Sequence, residues 1–361
     1  MSEAVLSELS VYRAKPTVRV DEQEFSKLSE LLIALEVKEQ EGGLSSLEMR
    51  LSNVASDTEA GASLAFEDES VVKLGSNITI YSGDENQPTE IFRGIVTGIE
   101  AIFPMIEPPE IIVLAEDVLQ KSRMARRTAV HDNISITDLS QRIATNLGLT
   151  PQVTGFTESM GTWYQFNESD LMFLRRVLHR YDGDLQIIGD ELFVYPRSEM
   201  QRDLLELALY GQLREVKIMA DLAHQVSEVT VSGWDVTNGS RIRVTSSGQN
   251  AGPGEGRTGS EILTELFGAR SEHIGHLGVA NTTEAEALAN AAYDQTARRF
   301  VCVEGTAEGN PSLRVGTHVR LTGISDRFNN TYYVVSSRHR FDLTVGYETD
   351  FEAESSRLEY A

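Results

Sequence analysis

The chain has a single cysteine, Cys302, so no disulfide can form within it. Its neighbours Phe300, Val301 and Val303 suggest a buried structural thiol, because a reactive thiol needs an electropositive, accessible setting. No stretch approaches the roughly 20 apolar residues that span a bilayer, so no membrane contact is expected. The N-terminus, Met1-Ser2-Glu3-Ala4-Val5, lacks the basic and apolar regions of a signal peptide, and synthesis in the cytoplasm is expected. Basic residues are also short: 32 Lys and Arg stand against 55 Asp and Glu, for a net charge of −23. A general nucleic-acid binder needs a basic face to displace counterions. Local clusters such as Arg123, Arg126 and Arg127 do not supply one, so specific nucleic-acid binding is not expected.

What is present is an ordinary globular composition, 40% hydrophobic and 24% charged over 361 residues, enough for two or three domains. The first region reads as β. Leu47-Glu48-Met49-Arg50-Leu51 alternates apolar and polar, and follows Ile33–Val37 across Glu41-Gly42-Gly43, which suits a hairpin. Further strands are predicted at 77–81, 91–96 and 111–114, with turns at Gly83-Asp84-Glu85-Asn86 and at 104–109. The period then changes. Ile136, Leu139, Ile143 and Leu147 recur at helical spacing between Ser135 and Gly148, which fit an N-cap and a C-cap. A second helix is predicted from Ser169-Asp170 with Leu171, Leu174, Leu178 and Tyr181 on one stripe. A hairpin follows at 185–188 and 191–195. The last region returns to strands at 226–231, 241–244, 318–321, 332–335, 337–343 and 347–351. A Gly-rich loop (247–260) and a helix (283–300), opened by a Thr283–Glu286 capping box, interrupt it. The predicted class is α+β, mainly β: a first β-barrel domain (1–124), an α/β insertion (125–200) and a second β-barrel domain (201–361).

Candidate chemistry is thin. Gly254-Glu255-Gly256-Arg257-Thr258-Gly259 fits G-x-G-x-x-G but lies in a polar loop outside any βαβ unit, so a mobile loop is favoured over a dinucleotide site. Glu272, His273 and His276 could hold zinc, but Gly275 and Gly278 break regular structure there and no third His or Cys is near. A solvated loop is the favoured reading. Ser325, Asp326 and His339 could form a triad only by geometry, and no nucleophile elbow exists. No catalytic residue, metal or cofactor is therefore expected, and the chain is not expected to be an enzyme. The run Arg338-His339-Arg340 is more informative, because three potential cations in an acidic chain need acidic partners, either in this chain or in an adjacent subunit. These three residues are the candidate inter-subunit contacts.

Four segments carry a resemblance: Phe92-Arg93-Gly94-Ile95-Val96, Ser135–Leu149, Gln165–Arg176 and Glu304–Asp342. In order along nearly the whole chain, they resemble the phage late control gene D family. That family includes baseplate hub proteins of contractile tails and the hub portion of VgrG-type spike proteins. The resemblance implies two barrel-like domains per chain in a homotrimeric ring that adapts a hexameric inner tube to a trimeric spike, among other baseplate components. The net charge of −23 beside the cation run at 338–340 leads us to expect acidic side chains on such a ring's inner wall and basic ones, such as Arg338 and Arg340, at subunit contacts. The sequence stops at Ala361 without spike-like repeats, so a separate trimeric spike protein is expected. The alternative is a peptidoglycan-binding or wall-degrading baseplate module, since Ser135–Leu149 is loosely similar to LysM repeats.

Overall fold

A computed structural model describes residues 15–57, 61–67, 69–84, 87–159, 161–250, 252–275 and 278–359. Met1–Val5, Glu85, Asn86 and His276 lie outside the described residues. The chain is α+β and mainly β. Its largest element is a 13-stranded, largely antiparallel sheet. From one end run Leu213–Ala220, Val301–Glu308, Gly346–Ser355 and Thr331–Asp342, followed by Leu32–Gln40, Ser46–Ser52, Glu110–Glu116, Gln87–Ile102, Asn77–Asp84 and Thr17–Val20. The first four strands belong to the C-terminal β region and the rest to the N-terminal one. Each region has its own core. Val37, Met49, Ile80 and Val113 centre the first, and Leu207, Val303, Val319 and Tyr332 the second.

Among the described residues six α-helices decorate this frame: α1 (Ser26–Leu31), α2 (Lys121–Met124), α3 (Ile136–Leu147), α4 (Asp170–Arg180), α5 (Gly259–Phe267) and α6 (Thr282–Ala297). In the insertion, α3 starts at a capping box between Ser135 and Asp138 and ends on Gly148 at φ 75°, a left-handed position that suits glycine. Ser169 caps α4 by accepting from Met172 N. The expected stripes bury Leu139, Ile143, Leu171, Leu174 and Leu178 against Leu185 and Val194 of the hairpin.

The C-terminal region departs from expectation between 228 and 297. Glu228–Asp235 and Ser240–Ser246 do not join the large sheet. With Ser271–Ile274 they form a separate three-stranded sheet, covered by α6 through Leu288 and Ala289. The start of α6 is also corrected. Asn281, not Thr283, is the N-cap and accepts from Glu284 N at 2.8 Å. The Glu284 carboxylate accepts from Ala280 N and pairs with Arg180 of α4, so a tertiary ion pair fixes the cap two residues upstream. Cys302 is half-buried rather than buried. Strand alternation turns Val301 and Val303 into the core and the thiol to the other face.

Gly94 shows why the Phe92–Val96 segment needs its glycine. A Cβ there would lie 2.4 Å from the Glu116 carbonyl oxygen and 2.6 Å from the Phe92 ring. The first is backbone and cannot move aside. Gly94→Ala should therefore destabilise the protein by about 1–3 kcal/mol, the usual range for overpacking, read as a lower urea midpoint at unchanged m-value.

Candidate functional site

The two β regions meet along Thr331–Asp342. On one side this strand pairs with Gly346–Ser355 over almost its whole length. On the other it pairs first with His318–Thr322, as far as Tyr333, and then from Ser336 with Leu32–Gln40. The change of partner coincides with a register shift between Val334 and Ser336, where the Val335 carbonyl accepts from Glu41 N at 3.0 Å. The same hairpin places Tyr332, Val334 and Phe351 in the second core and Phe341 and Tyr347 in the first.

Charged side chains pack around this crossing. Arg314 Nε donates to Glu39 at 2.7 Å, and its second nitrogen closes a bidentate pair. Ser337 Oγ donates to the same carboxylate at 3.3 Å. Nearby, Arg197 pairs with both Glu41 and Glu354 and lies 4.0 Å over the Tyr333 ring. Arg298 bridges Glu354 at 3.0 Å and Asp182 at 2.7 Å. Arg175 of α4 donates to the carbonyls of Gly42 and Gly43. These contacts tie the first β region, the insertion and the second β region to one another.

Glu39 and Glu41 sit two residues apart on this seam but titrate oppositely. Burial alone would push Glu39 up, but the guanidiniums of Arg314 and Arg202 hold it at about 2. For Glu41, burial dominates, the carboxylates of Asp184 and Glu354 add to it, and Arg197 only partly offsets them, so it rises to about 7.

One face of the large sheet carries charges of both signs. Arg338 pairs with Glu36, and Arg340 with Glu348 and Asp350. Lys38 reaches Glu36 at 2.5 Å, and Lys217 reaches Glu304 at 3.1 Å. A shallow groove of about 480 Å³ runs between Lys38, Lys217, Glu304, Arg338, Asp350 and Glu352. Strand pairing interleaves acidic and basic groups on this face. His339 is corrected outright as a surface contact. It points to the opposite face, is 0% exposed and sits 2.8 Å from the Tyr347 hydroxyl and 3.3 Å from that of Thr349. Burial and the charge of Arg314 push its imidazole down to about 3, so it is neutral. Its Nδ1 is engaged there and its buried Nε2 has no hydrogen-bond partner among the described residues, so neither nitrogen bonds Ser325 or Asp326.

The other candidates find structural roles. Thr258 of the Gly-rich loop caps α5 through a capping box with Glu261, and Gly256 packs against the Leu358 backbone. Ser232 Oγ and His273 Nε2 share a hydrogen bond at 2.5 Å. Among the described residues no group of three or more His, Cys, Asp or Glu is placed to hold a metal ion. No helix among them is long and apolar enough to cross a membrane. The seam itself was not singled out from the sequence. Its partners are separated by up to about 300 positions, and only the excess of charged residues in otherwise apolar strands hints at it.

The fold is that of phage-type tail proteins. It is similar to the 43 kDa tail protein of prophage MuSo2 from Shewanella oneidensis, with TM-score 0.68 and 12% identity over 94% of this chain and 97% of that one. A tail protein from Neisseria meningitidis MC58 matches with TM-score 0.64 and 12% identity over 94% and 96% of the two chains. The E. coli c3393 protein, a component of the type VI secretion system, matches with TM-score 0.55 and 14% identity over 96% and 77%. The chain belongs to the Alg8 N-terminal domain family, whose profile matches residues 16–342. No curated protein matches it.

The two seam carboxylates give opposite expectations. Glu39 lies below its ordinary 4.5, so its contribution is present above pH 4.5 and fades as pH falls towards about 2. Glu39→Gln leaves Arg314 buried and unpaired, and should cost about 3–5 kcal/mol at neutral pH, with a smaller loss in acid. Glu41 lies above 4.5. The folded state keeps a proton that the unfolded chain releases, so this site loses stability as pH rises from about 4.5 to 7. Glu41→Gln should flatten that part of the stability–pH curve, measured by urea unfolding across the window.

Proposed function

We propose that the protein is a structural hub at the baseplate of a contractile phage tail or contractile injection system. In this reading it is a homotrimer that adapts a hexameric inner tube to a separate trimeric spike, alongside other baseplate components. It is made in the cytoplasm and incorporated into the particle. The observation that carries the reading is one continuous sheet fusing two β regions, in a fold that matches a prophage tail protein over nearly the full length of both chains. The c3393 protein is itself described as structurally similar to the T4 tail proteins gp27 and gp5. The four gene D-like segments fit the same reading. A rigid two-lobed subunit suits a ring whose three chains must offer six similar contacts, because cyclic closure demands self-consistent surfaces.

The work proposed is assembly rather than catalysis. His339 is locked in the interior, while Arg338 stays exposed on the charged sheet face beside Glu36. In the ring, Arg338 and Arg340 carry subunit contacts from that face, where complementary charge fixes register.

Co-expression with the tube and spike proteins encoded beside it, followed by size-exclusion chromatography with light scattering, tests the reading. The expected mass of the hub is about three times the 39.9 kDa chain, with co-elution of both partners and a threefold ring in negative stain. Arg340→Glu should weaken the ring more than reversal of an isolated surface charge, most clearly at low salt. A chain that stays monomeric beside both partners overturns the proposal. Pelleting with purified cell walls instead would favour the peptidoglycan module.

A further inference from the structure

The insertion carries a two-stranded ribbon, Arg126–His131 paired antiparallel with Trp163–Ser169. Its inner face is well anchored. His131, Trp163 and Gln165 are buried, and the His131 ring stacks on Phe173 at 4.9 Å. The outer face is bare. Val130, Tyr164 and Phe166 are 57%, 50% and 66% exposed, and the Tyr164 and Phe166 rings lie parallel with centroids 5.6 Å apart. A two-stranded sheet is the least stable kind, and this one displays aromatic surface that folding has not covered.

The two edges of the ribbon differ. On the Trp163–Ser169 edge the outward carbonyl of Tyr164 accepts from Arg176 Nη2 at 2.7 Å, so α4 closes that side. Val130 is the register partner of Tyr164. Opposed residues in an antiparallel pair share one hydrogen-bonding sense, so the Val130 N–H and C=O also point out of the ribbon, on the other side. No strand among the described residues pairs there. Unpaired edges are templates for another chain unless charge, proline or a bulge blunts them; the ladder shifts register between Arg127 and Ala129, which leaves Ala129–His131 as the regular part of this edge.

Two cations bracket this open edge. Arg126 stands exposed at the start of the strand. Arg142 of α3 reaches His131 Nδ1 at 3.3 Å at its end. Neither lies within ion-pair distance of a described carboxylate, whereas the neighbouring Arg123, Arg127 and Arg176 pair with Glu116, Asp170 and Glu168. Arg126 is free to meet a carboxylate of an incoming chain, and Arg142, held on His131 Nδ1, adds positive charge at the other end of the edge, so the edge favours an acidic partner.

We propose that the outer edge of Arg126–His131 is a docking site for an extended acidic segment of another polypeptide. The segment adds as a third strand by main-chain hydrogen bonds. Its carboxylates meet Arg126 and Arg142, and its apolar side chains lie beside Val130 and the Tyr164–Phe166 pair.

The probe is a fluorescein-labelled ten-residue peptide alternating Glu with Val and Tyr, titrated into the full-length chain and followed by anisotropy. Saturable binding is expected, weakened about tenfold by Arg126→Glu and by added salt. Val130→Pro removes the outward N–H at a position where an edge strand tolerates proline, and should abolish binding. The same peptide N-methylated at alternate residues keeps its charge but cannot pair as a strand, and should fail against the unaltered protein even if Val130→Pro disturbs folding. Equal binding of the methylated peptide overturns strand addition, and equal binding to Arg126→Glu overturns the acidic partner. No binding of the probe, or self-association through this edge that the peptide does not compete, overturns the proposal in favour of a closed edge or a second copy.

Discussion

Everything in this structure depends on one strand changing partners. Thr331–Asp342 keeps the same neighbour, Gly346–Ser355, while the strand on its other flank switches from the second β region to the first. A hairpin that contributes Tyr332 and Phe351 to one core and Phe341 and Tyr347 to the other cannot be loosened in either without disturbing both. Linker-joined domains move relative to one another by default. Here the ladder of main-chain hydrogen bonds runs uninterrupted from Leu213–Ala220 to Thr17–Val20, and such rotation would break it.

The seam is polar where a hydrophobic one would hold as well or better, since buried ion pairs often contribute less than apolar packing of equal volume. Its geometry suggests what charge adds. Arg197 reads Glu41 from the first region and Glu354 from the second at once, and Arg298 reads Glu354 and Asp182 of the insertion. A guanidinium fork satisfies such pairs only in a narrow range of orientations. Apolar contacts would tolerate sliding. The chain of forks does not, and so it fixes the angle between the three parts. The raised Glu41 is the consequence of burying its carboxylate, with Asp184 and Glu354 nearby adding to the effect.

What could be read in the sequence was what is decided locally. The caps of α3 and α4 were legible because a Ser side chain bonds to a backbone amide three residues on, and the stripes of Leu139, Ile143, Leu171 and Leu174 because helical period is local. The fate of His339 was legible in principle: a period of two places it opposite Arg338 and Arg340, and one face of a buried strand is core. What sequence could not show is non-local. The strands read as 332–335 and 337–343 are one strand with a bulge, because Leu32–Gln40, some 300 residues earlier, supplies its second partner. The cap of α6 moved because Arg180, about 100 residues away, holds Glu284. The strands at 228–246 were legible as strands but not as a separate sheet, since the choice of partner lies with Ser271–Ile274 and α6.

The same non-local logic sorts the sheet edges. Along its main run the large sheet ends on one side in Gln23–Glu24, two residues long, and on the other in Leu213–Ala220, which carries exposed Glu215 and Lys217; a branch through His318–Thr322 ends in the short strand Leu204–Ala208. Short length and charge both blunt an edge against stray pairing. The ribbon in the insertion has a register shift beside Val130 and cations at its ends, but Ala129 and Val130 themselves carry no charge, and the ribbon sits outside the large sheet on a module held by salt bridges. A baseplate hub of the kind proposed would gain from that division. The welded sheet sets geometry and resists unplanned contacts, while a small peripheral ribbon can accept a strand without disturbing the register that holds the two cores together.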